Sequence, residues 1–307
     1  MIIDMPNTHT RDIASKIDEL HDERGEAATG RVLTLLISTD KEHLEDSLSI
    51  ANSASLEHPC RVIAIVIENE SEENEHNLCA QVRFGADAGA GEIIILYPHN
   101  GLVNHLDSLV IPLLIPDTPI VAWWPTNPPA DPSKDLLGAM ARTRITDVQK
   151  SDNPRETFER LLHTFNTKDI DLSWTRITVW RAMLASLLDQ PPHEPITHIE
   201  VCGPRNTLPL QLLATWLHSC LNAPITITYD DSANAISAVR LTRSDGVLSV
   251  ERPEGSQAVI HFPGQTPQPI ILPVRTQEEC LAEELRRMDP DIVYSNVLHK
   301  VGNLSQE

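Results

Sequence analysis

Basic residues, paired cysteines, phosphate loops and long apolar runs are all scarce in this chain of 307 residues. Lysine and arginine number 24 against 44 acidic side chains, a formal charge of −20. Nucleic-acid backbones and anionic membranes select basic surfaces, so neither is expected as a partner. Acidity by itself confers solubility. No basic start leads into an apolar segment at the N-terminus, and Leu109–Pro116 is too short and too broken by proline to span a bilayer. A cytoplasmic location is the expectation. The five cysteines (Cys60, Cys79, Cys202, Cys220, Cys280) include no CxxC pair, which argues against a disulfide framework or a zinc site and for reduced thiols.

Chemical signatures are equally sparse. There is no GxxxxGK[ST] loop, no HExxH among thirteen histidines and no GxSxG elbow. Gly85, Gly89 and Gly91 precede the apolar run at Glu92, whereas a dinucleotide fingerprint needs strand, then glycines, then helix. Asp230-Asp231 follows a strand-like run and reads as a turn. The expectation is no catalytic residue, no metal and no cofactor.

The first half alternates strand and helix. Apolar runs of strand length occur at Val32–Ser38, Arg61–Ile67, Glu92–Tyr97 and Ile120–Trp124. A helical pattern at Glu42–Ala54 and the spacing of Leu102, Leu106, Leu109 and Leu113 separate them, the latter ended by Pro112 and Pro116. Near-continuous apolar strands between helices imply a doubly wound, mostly parallel sheet covered on both faces. Residues 1–170 are therefore read as an α/β domain, with 1–29 an acidic, polar lead that need not be ordered. Glu68–Glu75 reads as a solvated loop. Residues 171–307 are read as a smaller α+β domain. It begins with helices around Ser173–Leu188, a stiff connector at Gln190–Pro195 and a strand–helix pair at His198–Leu221. Short alternating strands from Ile225 to Val274 then suggest an antiparallel sheet, and helices from Gln277 close the chain.

Two places concentrate residues suited to binding. Trp123 and Trp124 stand side by side before Pro125, in a chain with only twelve aromatic residues. Neighbours on a strand point to opposite faces, so one indole can enter a core while the other meets a partner. Trp174 and Arg181, seven positions apart, carry the residue types enriched at interfaces. A weaker candidate is an anion site from His58, Arg61 and Arg83, on the view that strand-end arginines at the carboxyl face of the sheet meet phosphate or carboxylate.

Four segments in order carry a resemblance: His58-Pro59-Cys60-Arg61, the IPDTPIVAWWP run at Ile115–Pro125, DLSWTRITVWR at Asp171–Arg181 and RMDPDIVY at Arg287–Tyr294. Together they resemble the glucose-6-phosphate dehydrogenase assembly protein family (OpcA), from about residue 30 to residue 300. The resemblance implies a non-catalytic partner of that dehydrogenase, forming a hetero-oligomer and supporting NADPH supply in the oxidative pentose phosphate pathway. It also implies an N-terminal assembly domain and a distinct C-terminal domain. The competing reading is a sugar-phosphate-binding regulator or a cryptic enzyme that uses the arginines of the N-terminal domain.

Overall fold

The computed structural model describes residues 1–24, 31–68, 77–84 and 92–304. It separates into two compact units, Met1–Leu172 with Gln277–Pro290, and Ser173–Thr276 with Asp291–Glu307. The return of Gln277–Pro290 to the first unit has no counterpart in the sequence pattern.

Among the described residues, the first unit carries an eight-stranded sheet. Its centre comes from β2 (Leu33–Thr39), β3 (Cys60–Val66), β5 (Glu92–Pro98) and β6 (Ile120–Trp124). The apolar runs make these strands because β-branched and aliphatic side chains suit a pleat buried on both sides. β7 (Thr143–Thr146) and β8 (Asp169–Asp171) extend one edge, and β4 (Leu78–Phe84) and β1 (Ile2–Thr8) the other. The order is β1-β4-β5-β3-β2-β6-β7-β8, with β1–β4 and β4–β5 antiparallel and the remaining neighbours parallel. Counted along the chain, the six parallel strands run 3-2-1-4-5-6, the doubly wound order whose direction reverses between β2 and β6.

Helices cover both faces. On one, α1 (Thr10–Arg24) sets Ile13, Ile17 and Leu20 against Leu36, Ile63, Ile94 and Phe84, with Leu106, Val110 and Leu113 of the segment after β5 beside them. On the other, α2 (Leu44–Ser55) packs on β2 and β3 and against α8 (Gln277–Arg287). The reading of residues 1–29 as a polar lead is thereby corrected. Ile13, Ile17 and Leu20 form a narrow apolar stripe in an otherwise polar helix, and Ile2–Thr8 pairs with β4 as an edge strand. Of the expected Glu68–Glu75 loop only Glu68 is described, and Gly85, Gly89 and Gly91 lie outside the described residues.

Gly138 marks a close approach. A Cβ there would stand 1.9 Å from the Pro132 carbonyl oxygen and 3.0 Å from the Trp124 ring. Gly138→Ala is expected to cost about 1–3 kcal/mol, as overpacking does, and thermal denaturation measures it.

The second unit holds a six-stranded sheet in the order β10-β9-β11-β12-β13-β14. Its strands are β9 (His198–Gly203), β10 (Ile225–Tyr229), β11 (Ala238–Arg243), β12 (Gly246–Glu254), β13 (Gln257–His261) and β14 (Gln268–Ile271). The sheet is antiparallel except for the β9–β10 pair, which is parallel because α7 (Leu208–Leu221) crosses between them. The expected helix around Ser173–Leu188 is divided at Ile177 into α5 (Leu172–Arg176) and α6 (Thr178–Leu188).

Candidate functional site

Trp123 lies opposite Ile37 of β2 and Ile145 of β7 and is fully buried. Trp124, on the opposite face of the same strand, is 3% exposed and packs with Ala122 and Ala141. Pro125 is buried as well. The expectation that one indole faces a partner is corrected, because β6 is an interior strand and both of its faces are covered. These residues build the core of the first unit.

Trp174 and Arg181 do come together, within the second unit. The guanidinium of Arg181 lies 3.7 Å from the Trp174 ring centroid, and the indole Nε1–H donates to Asp291 Oδ2 at 2.9 Å. Asp291 also accepts the Tyr294 backbone N–H at the start of α9 (Ile292–Leu304), and the Tyr294 ring sits 5.5 Å from Trp174. Trp174 is fully buried, so it ties α5 to α9 and offers no surface; Arg181 covers it, half-buried.

The arginines stand at the other end of the sheet from the one expected. Arg61 is the second residue of β3, and Arg83 pairs with Ile93 near the start of β5; both lie at the amino ends of the parallel strands. They also face opposite sides of the sheet. Arg61 bonds to Glu92 and donates from Nη1 to the Leu113 carbonyl at 2.7 Å, on the α1 face. Arg83 grips Glu45 of α2 with two hydrogen bonds of 2.9 and 2.6 Å. His58, just before β3, keeps a buried Nε2 without a hydrogen-bond partner. An arginine-lined site shared by Arg61 and Arg83 is therefore not formed.

Glu92 is the centre of what is formed there. Its carboxylate is completely buried and meets Arg61, Arg31 at 3.2 Å and His21 at 2.9 Å. A carboxylate this deep needs such partners to offset its lost hydration.

The five cysteines are dispersed and none is in a disulfide. Burial pushes the Cys60 thiol up to about 12, against the weaker pull of Arg31. Thiolate, the reactive form, is then negligible at Cys60 near neutral pH. With iodoacetamide at about pH 8, the exposed Cys220 is expected to be alkylated in the folded chain and Cys60 only after unfolding, as peptide mass mapping will read. No group of three or more His, Cys, Asp or Glu is placed to hold a metal among the described residues, and no described helix is long and apolar enough to cross a membrane.

A concave feature absent from the sequence reading opens at the carboxyl ends of β2 and β6, where the strand order reverses. A cleft of about 300 Å³ is walled by Ser38 and Thr39 at the end of β2 with Asp40 beyond it, and by Trp124 at the end of β6 with Thr126 and Asp135 beyond it. Part of the signal was in the sequence, since Thr39-Asp40 directly follows the apolar run Val32–Ser38 and a doubly wound sheet binds ligands at its switch point, but which strand ends form that point is fixed only by the strand order. The Asp40 carboxyl is pushed up by burial, but the His43 backbone N–H and imidazole outweigh this and hold it below the usual carboxylate range.

The fold places the first unit in the doubly wound α/β class, accompanied by an α+β unit. Residues 51–163 match the family described as glucose-6-phosphate dehydrogenase subunit N-terminal domain, and residues 167–298 its C-terminal domain. The chain belongs to this OpcA family. A curated relative, an OxPP cycle protein OpcA of Synechocystis sp., is 24% identical over 187 residues, or 58% of this chain. The match spans 38% of that relative's length. Solved structures that align with the chain include an inositol dehydrogenase homolog of Azotobacter vinelandii complexed with NADH and myo-inositol, 9% identical with TM-score 0.36, covering 91% of this chain and 88% of that one. A glucose-6-phosphate dehydrogenase bound to glucose 6-phosphate is 8% identical with TM-score 0.39, covering 90% and 91%.

Proposed function

We propose that the chain is a non-catalytic, cytoplasmic partner subunit of glucose-6-phosphate dehydrogenase, supporting its oligomerisation and activity at the entry of the oxidative pentose phosphate pathway. The observation that carries this reading is the pair of family matches, one for each half of the chain and in order from residue 51 to residue 298. Activation follows from linkage: a partner that binds the active oligomer tenfold more tightly than its inactive forms shifts that equilibrium by about 1.4 kcal/mol. The separation of Arg61 from Arg83 removes the support for the competing sugar-phosphate reading at those residues.

Size-exclusion chromatography of the chain mixed with the purified dehydrogenase, with mass measured on the eluted peak, tests the proposal. A heteromeric peak is expected, together with raised dehydrogenase activity in the same mixture. Separate elution with unchanged kinetics at micromolar concentrations would overturn it.

A further inference from the structure

We propose that the outer edge of β10 in the second unit pairs antiparallel with the same edge of a second copy of this chain, joining two six-stranded sheets across a two-fold axis at Ile227. A sheet edge presents unpaired N–H and C=O groups, and folded proteins guard such edges with charge, proline, bulges or very short strands. Among the described residues, one sheet ends in β1 and β8 and the other in β10 and β14. β1 carries Asp4, Pro6 and a register shift between Met5 and Thr8. β8 is three residues long with an aspartate at each end, and β14 is four residues long and contains Pro269. β10 reads ITITY over five residues, with no charge, no proline and no break in its register with β9. Each of its residues is β-branched or aromatic, the types that favour strands. β10 is the edge left unguarded.

The open backbone groups follow from the pairing on the other side. The Ile199 N–H donates to the Pro224 carbonyl at 2.9 Å, and the Asp230 N–H donates to the Gly203 carbonyl at 2.8 Å. Peptide groups alternate sides along a strand, so Thr226 and Thr228 also turn theirs toward β9. Ile225, Ile227 and Tyr229 turn theirs outward, where the chain supplies no described hydrogen-bond partner. Thr226, Thr228 and Tyr229 are exposed as well.

A second copy fits this edge because the pattern reads the same from both ends. Pairing centred on Ile227 sets Ile225 of one copy opposite Tyr229 of the other, and Thr226 opposite Thr228. Aromatic with β-branched and threonine with threonine are favourable cross-strand neighbours. The outward residues form three facing pairs that exchange two N–H···O=C bonds each, about six in all. Charge points the same way. A chain of formal charge −20 repels its copy over most of its surface, and ITITY is a neutral strip. Asp230 and Asp231, just beyond the strand, fall opposite Pro224 and Ala223 of the other copy, not opposite each other. Arg205 lies 3.2 Å from Asp231 and 4.6 Å over the Tyr229 ring, which adds a cation beside the strip. The strip is about 17 Å long and buries less than the roughly 800 Å² per partner of a standard interface. The dimer is therefore reversible, half formed at roughly 10–100 μM.

The test uses the full chain alone, by sedimentation velocity from about 1 to 300 μM. A monomer–dimer equilibrium is expected. Ile227→Pro removes only an outward N–H, which leaves the β9 ladder intact, and it should weaken dimerisation at least about tenfold. Ile227→Val, which keeps the N–H and the branched side chain, should dimerise like the parent chain. Hydrogen exchange read amide by amide needs no variant. Ile225, Ile227 and Tyr229 should exchange severalfold more slowly at the high concentration, while Thr226 and Thr228 are protected at both. A monomer throughout the range, a dimer that persists in folded Ile227→Pro, or exchange at Ile227 that ignores concentration would each overturn the proposal. Protection of these amides that appears only when the dehydrogenase is added would give the edge to that partner and overturn pairing with a copy. Because the first measurements contain no dehydrogenase, failure here and failure to form the heteromeric peak are separate results.

Discussion

Trp123→Ala is expected to remove about 3–5 kcal/mol of folding stability, the range for deleting a large aromatic side chain from a packed interior. The residue sits on an interior strand between Ile37 and Ile145 with no surface exposed to solvent. Nothing on either flank is free to fill the space, so the cavity cost adds to the lost transfer energy. Set against a typical net stability of about 5–15 kcal/mol, the loss leaves a marginal protein. Urea denaturation followed by circular dichroism measures it. Trp123→Phe should cost clearly less, since a ring remains and the indole Nε1–H it removes has no hydrogen-bond partner. The two variants also separate packing from recognition. If the chain binds the dehydrogenase as proposed, that binding should fall with the folded fraction in Trp123→Ala and recover when the protein is assayed well below its melting temperature. A cost below about 1 kcal/mol would contradict the buried placement.

The second large effect concerns Glu92. Glu92→Ala is expected to cost about 3–5 kcal/mol, because it strands buried guanidinium groups without their carboxylate. Arg61 and Arg31 have only 12% and 11% of their side chains exposed, so water cannot replace what is lost. Glu92 also spans distant parts of the chain, joining His21 of α1, Arg31 ahead of β2 and Arg61 of β3. Coupling is the sharper measurement. Arg61→Met made in the Glu92→Ala background should cost less than Arg61→Met alone, by denaturant titration of the four proteins. Equal costs in the two backgrounds would mean that Arg61 and Glu92 do not interact.

The sheet's centre was legible because its strands are continuous apolar runs, and β2, β3, β5 and β6 fall within a residue or two of the runs seen in the sequence. Its edges were not. β4 alternates Leu78, Ala80, Val82 and Phe84 with Cys79, Gln81 and Arg83, so only half of it is apolar. β7 and β8 are short and polar, and their burial depends on partners far away in the chain. Thr146 Oγ1 donates to Asp171 at 2.7 Å, the Val148 N–H to the same carboxylate at 2.8 Å, and Arg144 pairs with Asp169. Such mutual satisfaction is invisible to a periodicity argument, which treats each polar residue as a reason for exposure.

The candidate residues divide along the same line. Residue type alone suggested an interface at the tryptophans, but which face of β6 stays open depends on β2, β7 and the covering layers. Trp174 and Arg181 were read together as residues that meet a partner, and they meet each other across the break at Ile177, whereas Asp291, which receives the indole N–H, is 117 positions away from Trp174. The cleft at Thr39 and Asp40 requires the strand order, and the order is a property of the assembled sheet.

The helix Gln277–Arg287 has a consequence for how the chain is made. It buries Cys280, Leu281 and Leu285 and lies alongside α2, yet more than 200 residues separate the two in sequence. During synthesis the ribosome must deliver the whole 173–276 segment before the first unit receives its last helix. For that interval the flank of α2 that meets this helix is without its final cover. The first unit therefore reaches its finished fold only near the end of translation, after nearly all of the second unit has been made.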